Sequence, residues 1–385
     1  LSKKVLFIQG AKHASGYYRM GQACQLLQKM NYIIDILFFD TIDPVTLKAS
    51  KSILSPNSPG LTHITLDLTK ADTVVFQMIW HDALNTTIKK LKNLGITTAM
   101  EVDDDYLNLP ASNPSFHAFH PKCNLVKNKD GKLVFNLQQQ KYKKSFNRYV
   151  RDRKSEEKTN FALDNLKKAM SLVDFLQVST PELSQLYSKY NDHIVVLENC
   201  IENELYDSVP KVKNTKPVIG WFGTKTHSED LRIVDGCIPD NAKLLIAGFP
   251  DIKDTTLFKY HEDIEFVPPY ELKDLPQIVK QCDIGIIPLV ECKFNDGKSD
   301  LKGLEFAAGS IPTVASDVAP YRRWIRHGEN GYLAKGNKSK FWIRYLNELV
   351  NNQELREKMG KEAKIDAENR DIKSYIHKWV EVYFK

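Results

Sequence analysis

Residues 296–305 bring together six groups able to bind and orient a ligand: Asp296, Lys298, Ser299, Asp300, Lys302 and Glu305. All but Asp296, which immediately precedes it, sit at the head of the run GKSDLKGLEFAAGSIPTVAS, residues 297–316. Lys298 and Lys302 supply positive charge, and Glu305, two helical turns beyond Lys298, could accept hydrogen bonds from a ribose diol. The preceding CDIGIIPL (282–289) is apolar and reads as a buried strand that stops at Pro288. Ser299 is a good N-cap, and Leu301, Leu304, Phe306 and Ala308 give the following helix an apolar side. Gly309 and Pro312 end it, and Thr313–Ala315 begins another strand. In open α/β sheets such a strand–loop–helix unit places its loop at the carboxyl edge, where ligands bind. The backbone N–H groups of Ser299, Asp300 and Leu301 would then face an anion. The plainer alternative is an ordinary α/β loop kept in solvent by its lysines.

Other clusters could also carry chemistry. Asp103, Asp104 and Asp105 follow the strand-like Ile96–Val102. Three carboxylates at one strand end repel each other, so metal binding, general-base duty or helix capping must stabilise them. His81 lies just past TVVFQ (73–77) and could touch a sugar, although a lone histidine after an aromatic residue is more often structural. Gly16 and Arg19 fall in GAKHASGYYRMG (10–21), between a strand and a helix. Small residues there let backbone approach a phosphate, and Arg19 could pair with it; a flexible surface loop is the alternative. The spacing is not a G-x-G-x-x-G fingerprint, which disfavours a nicotinamide cofactor.

The elements that must position these groups are short strands alternating with helices. Val5–Ile8, Ile33–Phe39, Thr73–Gln77, Ile96–Val102, Phe175–Ser179 and Ile194–Leu197 read as strands. Alternation of this kind predicts a doubly wound parallel sheet. The polar KVKNTK (211–216) reads as a linker between domains. A second series then begins with PVIGWF (217–222), whose loop carries Gly223, Thr224 and Lys225, and continues through LLIAG (244–248) and Ile264–Val267. The organisation is thus 1–210 and 217–367, with a closing helix within 368–385.

Composition bounds the class. The 385 residues are 42% hydrophobic and 26% charged, enough for two full cores. No apolar run approaches the length of a spanning helix. The apolar core Val5–Ile8 near the start is too short for a signal peptide. Six cysteines without a CxxC pair suggest reduced thiols in a cytoplasmic protein and argue against zinc. The net charge of +6 is concentrated: residues 122–158 hold twelve Lys or Arg against four Asp or Glu, so the remainder is slightly acidic. This segment belongs to an insertion over 110–160. Lys143, Lys144, Arg151 and Arg153, with Tyr142, Phe146 and Tyr149 for stacking, could bind an acidic acceptor; a solvated helix face is the alternative.

KSDLKGLEFAAGSIPTVAS resembles the nucleotide-sugar site of retaining glycosyltransferases of the GT-B fold, the glycosyltransferase 4 type. That group carries two glutamates eight positions apart, then small residues, Gly, Pro and a short strand. Glu305 matches the second glutamate, and Gly309 and Pro312 match the Gly and Pro beyond it. Gly297 stands where the first glutamate would be, with Asp296 beside it as a substitute. The resemblance implies two Rossmann-like domains facing across a cleft, with a terminal helix crossing back to the first. It implies Gly223, Thr224 and Lys225 at the diphosphate, PPYEL (268–272) beside the base, and Gly16 and Arg19 on the cleft side. Asp103 and Asp104 carry over as residues that position sugar or acceptor, which makes them, with His81, the catalytic candidates.

The expected activity is therefore transfer of a sugar from a nucleoside diphosphate sugar to a hydroxyl, with retention and without an obligatory metal or other cofactor. The acceptor would be a glycan or surface polysaccharide, or a modified base in DNA extruded from the duplex. Rival classes are a non-catalytic module binding nucleotide-sugar or polyanion, favoured by the missing first glutamate, and a nucleotide-sugar epimerase.

Overall fold

The computed structural model describes residues 3–10, 14–39, 41–54, 61–78, 82–110, 113, 125–127, 133–135, 161–224, 227–248, 257–258 and 261–385. The chain forms two compact units, Leu1–Ala11 with Tyr32–Val196, and Lys12–Asn31 with Leu197–Lys385.

The first unit contains β1 (Lys4–Gln9), β2 (Ile33–Phe38), β3 (Thr41–Asp43), β4 (Lys48–Leu54), β5 (Leu61–Asp67), β6 (Thr73–Gln77), β7 (Thr97–Val102), β8 (Leu125–Lys127), β9 (Leu133–Phe135), β10 (Phe175–Val178) and β11 (Ile194–Val196). Six of them make a parallel sheet in the order β11-β10-β7-β6-β1-β2, with Val5 opposite Thr73 and Lys4 opposite Ile33. Val5, Leu6, Phe7 and Ile8 are buried, as is all of β6. A strand covered on both faces reads as a continuous apolar run, which is why these segments are legible in sequence. An antiparallel sheet β3-β4-β5 departs from the all-parallel expectation. Its first turn is fixed by Asp43, which accepts from the Val45 N–H and the Thr46 hydroxyl. Within the 110–160 insertion the described strands β8 and β9 pair as an antiparallel hairpin. Lys143, Lys144, Arg151 and Arg153 lie outside the described residues, as does His81.

The second unit carries β12 (Val218–Phe222), β13 (Lys243–Ala247), β14 (Ile264–Val267), β15 (Ile284–Ile287), β16 (Thr313–Ser316) and β17 (Gly331–Ala334). They form one parallel sheet in the order β14-β13-β12-β15-β16-β17. The chain starts in the middle, builds outward one way, then returns to build the other way. This is the Rossmann order, and its switch point lies between β12 and β15. Apolar layers cover both faces. One gathers Phe222, Ile278, Leu304 and Phe306, the other Trp221, Ile246, Trp342 and Leu346.

A pair of glycines sets the height of the helix Leu301–Ala308 above the sheet. Gly220 and Gly285 are register partners on β12 and β15. A Cβ on Gly285 would lie 2.7 Å from the Phe306 ring, and one on Gly220 would lie 2.1 Å from Cys282 Sγ. The bare strand surface lets Phe306 settle onto the sheet, where its ring meets Phe222 at 4.5 Å. The helix that bears Lys302 and Glu305 is thereby seated directly over the switch point.

The division between units falls at Val196–Leu197, not within 211–216. The polar 211–216 segment is instead fastened to the second unit through Asp283, which accepts from Lys211 Nζ at 2.8 Å and Asn214 Nδ2 at 2.7 Å. Residues 12–31 also count with the second unit, and so does the closing helix Ile372–Tyr383. That helix buries Tyr375, Ile376, Trp379 and Tyr383 and packs against Gln22–Lys29.

Candidate functional site

A cleft of about 770 Å³ opens in the second unit at the carboxyl ends of β12 and β15. Four segments supply most of its wall. Phe222, Gly223 and Thr224 follow β12, and Pro269, Tyr270, Glu271 and Leu272 follow β14. Lys298, Ser299, Leu301, Lys302 and Glu305 form the loop and first turns of the Leu301–Ala308 helix. Ala14 and Tyr17 come from the short helical stretch near the start of the chain.

Glu305 is 4% exposed. It accepts from the Tyr18 hydroxyl at 2.8 Å. Burial pushes its carboxyl up to about 7, against the lowering pull of Lys302 and the Tyr18 hydrogen bond. Tyr18 reaches it from a π-helical turn, Tyr17–Gly21, which leads into the helix Gln22–Lys29. Lys302 Nζ donates to the Phe222 carbonyl at 2.7 Å and lies 4.8 Å from the Phe222 ring centroid. Burial lowers its pKa and Glu305 opposes that shift. Lys298 Nζ sits 4.4 Å from the Phe294 ring centroid. First-turn amides of a helix have no intrahelical acceptor, so the Leu301 end adds partial positive charge beside these two lysines.

Gly223 and Gly248 meet at the strand ends. Gly248 has φ +85°, and a Cβ there would lie 2.4 Å from the Gly223 carbonyl oxygen. The close approach keeps the floor of the cleft at backbone level, where a phosphate can reach N–H groups.

The structure gives Ser299, Asp300 and Arg19 duties other than those the sequence suggests. The N-cap position is Asp300, without a side-chain cap bond. The Ser299 hydroxyl accepts from Asn199 Nδ2 at 2.8 Å instead. Arg19 is 1% exposed and does not line the cleft. Its Nη1 donates to the Leu197 carbonyl at 2.6 Å and to Asn199 Oδ1 at 2.8 Å. Asp300 is buried and pairs with Arg370 at 3.2 Å; Arg370 also pairs with Glu198 at 3.3 Å and donates to the Asn199 carbonyl. These groups brace the loop from behind. Asp296 ends the short helix Lys293–Asp296, and neither it nor Gly16 lines the cleft. Lys225 lies outside the described residues.

The family model described as "Glycosyl transferases group 1" matches residues 237–366, a stretch that contains β15, the lysine-bearing loop and Glu305. The match lies wholly within the second unit.

HepE of Anabaena, solved with UDP and glucose, is similar over 99% of both chains at 11% identity, with a TM-score of 0.59. Sucrose-phosphate synthase of Thermosynechococcus elongatus is similar over 99% of this chain and 98% of that one at 11% identity, with a TM-score of 0.61. The chain has the GT-B fold. Among curated relatives, D-inositol 3-phosphate glycosyltransferase of Nocardia farcinica is 26% identical over 102 residues, which is 26% of this chain and 22% of that protein. The matches span 22% to 31% of the curated relatives' own lengths.

Of the residues singled out in sequence, the second unit brings Glu305, Ser299, Leu301, Lys298, Lys302, Gly223 and Thr224 to one cleft. Asp103 and Asp104 belong to the first unit, just past β7. Their backbone carbonyls accept from Ser179 and Tyr187, the latter at 2.6 Å. Asp105 closes a turn rather than capping a helix: its carboxylate accepts from the Leu107 and Asn108 N–H groups. Sequence reasoning gave Tyr17 and Tyr18 no role of their own; their signal was a Tyr-Arg pair shortly after Gly16 in a strand-to-helix loop. It also passed over His227, which lines the cleft and whose Nδ1 lies 2.8 Å from Asp230 Oδ2.

Proposed function

We propose that this protein transfers a sugar from a nucleoside diphosphate sugar to a hydroxyl acceptor, with retention at the anomeric carbon. The observation that carries the reading is the convergence of Lys298, Lys302, the Leu301 helix end and the buried Glu305 on one cleft at the Rossmann switch point. The diphosphate would lie on the lysines and helix amides, and the ribose diol on the Glu305 carboxylate. When the glycosidic C–O bond breaks, its electron pair passes to the diphosphate. Fixed positive groups bind that growing charge more tightly than the ground state, which lowers the barrier. HepE, solved with UDP and glucose, supports such a donor, as does the glycosyltransferase naming of the curated relatives.

The same cations make an obligatory metal unnecessary in this reading. A cytoplasmic location is proposed with it, from the scattered cysteines, four of which are buried free thiols. No described helix is long and apolar enough to cross a membrane. The acceptor is a glycan hydroxyl or a modified DNA base, the two partners that suit the basic 122–158 segment.

The test is a thermal-shift screen with UDP, GDP and ADP and their sugars, followed by turnover assays with glycan and duplex-DNA acceptors, with and without chelator. The expected result is a raised Tm with one nucleoside diphosphate. Transfer with an unchanged anomeric configuration should persist in chelator. No shift with any nucleotide would overturn the donor site, and donor interconversion without an acceptor would make the protein an epimerase.

A further inference from the structure

Beside the two lysines the cleft holds a third cationic candidate that none of the features above employs. His227 follows β12 at the head of the short helix Ser228–Leu231 and lines the cleft. Its ring is held by one edge. Nδ1 faces Asp230 Oδ2 at 2.8 Å, while Asp230 Oδ1 accepts from the Val290 N–H at 2.8 Å. Asp230 is itself buried and cannot swing away without abandoning that backbone bond. A carboxylate on Nδ1 fixes the tautomer: the proton stays on Nδ1, and Nε2 is the ring's second hydrogen-bonding position. No hydrogen bond to Nε2 is made among the described residues. The side chain is 27% exposed, so it remains open to a ligand.

We propose that His227 is a donor-contacting residue whose Nε2 meets the diphosphate and gains a proton from solvent as the diphosphate binds, with Asp230 orienting the ring and balancing the imidazolium. This rests on the nucleoside diphosphate reading above. The charged groups that face the ring are Asp230 from its own turn, and Lys298 and Lys302 from the loop and helix opposite. Burial is the largest influence and lowers the pKa of His227; the two lysines lower it further, and Asp230 opposes them. A bound diphosphate reverses that balance. Its negative charge neutralises the lysines and adds an acceptor at Nε2, so the protonated ring becomes the favoured form. The imidazolium then donates to a phosphate oxygen, a charge-assisted bond of the stronger kind.

The experiment is calorimetric titration of the full chain with UDP, GDP and ADP near neutral pH, in buffers of different ionisation enthalpy, which counts protons taken up on binding. His227→Gln keeps a polar side chain of similar size but cannot gain the proton. The nucleoside diphosphate that binds should draw more protons to the wild type than to His227→Gln. The variant should bind about tenfold more weakly, as expected for a charge-assisted hydrogen bond replaced by a neutral one. Asp230→Asn removes the balancing carboxylate and can keep the acceptor for Val290 N–H, so it should lose uptake while remaining folded by thermal unfolding. The difference from wild type isolates His227, because any proton released by Glu305 is common to both. Equal proton uptake in wild type and His227→Gln would overturn the inference and leave the donor site standing. Failure of all three nucleotides to bind would overturn the donor site and the inference together.

Discussion

Glu305 shows how one residue can be tuned for binding at a cost to the fold. A carboxylate moved out of water resists ionisation, and Lys302 with Tyr18 only partly compensates, so the group titrates near 7 rather than at its ordinary 4.5. Because the folded pKa is raised, the group's favourable contribution to stability is fully present below about 4.5 and is lost as pH rises through about 7. Donor binding has the opposite sign, since a ribose diol donates to a carboxylate and only the ionised form accepts fully. In the His227→Gln variant, where the opposing protonation of His227 is removed, nucleoside diphosphate affinity measured by calorimetry should therefore rise between about pH 6 and pH 8 as Glu305 ionises. Glu305→Gln should flatten this contribution to the profile and weaken binding by about tenfold at the upper end, roughly the value of one charged hydrogen bond. An unchanged affinity and profile would remove Glu305 from the site.

At the scale of elements, the lysine-bearing loop owes its position to partners far away in sequence. The π-helical turn Tyr17–Gly21 supplies Arg19, the segment after β11 supplies Asn199, and the closing part of the chain supplies Arg370. Arg19 holds Asn199, Asn199 holds the Ser299 hydroxyl, and Arg370 holds Asp300. This makes Arg19 a brace. Arg19→Lys keeps the charge but cannot reproduce a planar fork with bonds to Leu197 and Asn199. The expected loss is about 2 kcal/mol of stability in denaturant unfolding, the cost of a buried acceptor left without its donor. Donor affinity should fall with it as Ser299 loosens. Stability intact with donor affinity lost would restore Arg19 as a direct phosphate ligand.

For the molecule as a whole, positive charge is unevenly divided along the sequence. The described donor cleft uses a few enclosed cations, whereas residues 122–158 carry the bulk of the excess positive charge in sequence. Neutralising Lys143, Lys144, Arg151 and Arg153 together should weaken acceptor binding several-fold and reduce its salt dependence, while nucleoside diphosphate affinity stays within error. A fluorescence-anisotropy titration across salt concentrations would check this with an acidic glycan and with duplex DNA. No change with either would return the segment to a solvated surface.

Most of the parallel strands were legible because a parallel sheet buried on both faces writes continuous apolar runs into the sequence, as in β1, β6 and β15. Lys298, Lys302 and Glu305 were legible because loop and helix are contiguous, so helical spacing alone puts them on one face. The antiparallel β3-β4-β5 sheet was not legible, because its strands are polar and leave no apolar run to read. Nor could local pattern show that Arg19 faces Asn199, that Tyr18 reaches Glu305, or that Asp283 ties down the polar 211–216 segment. These bonds join residues 65 or more positions apart, and their partners are chosen by burial, which forces each polar group to find an acceptor or donor wherever packing has placed one. Sequence alone thus determined the alternation of strands and helices, the lysine-bearing loop and the glutamate on the helix after it. Only the tertiary structure decided which charged side chains face the cleft and which are spent holding it in shape.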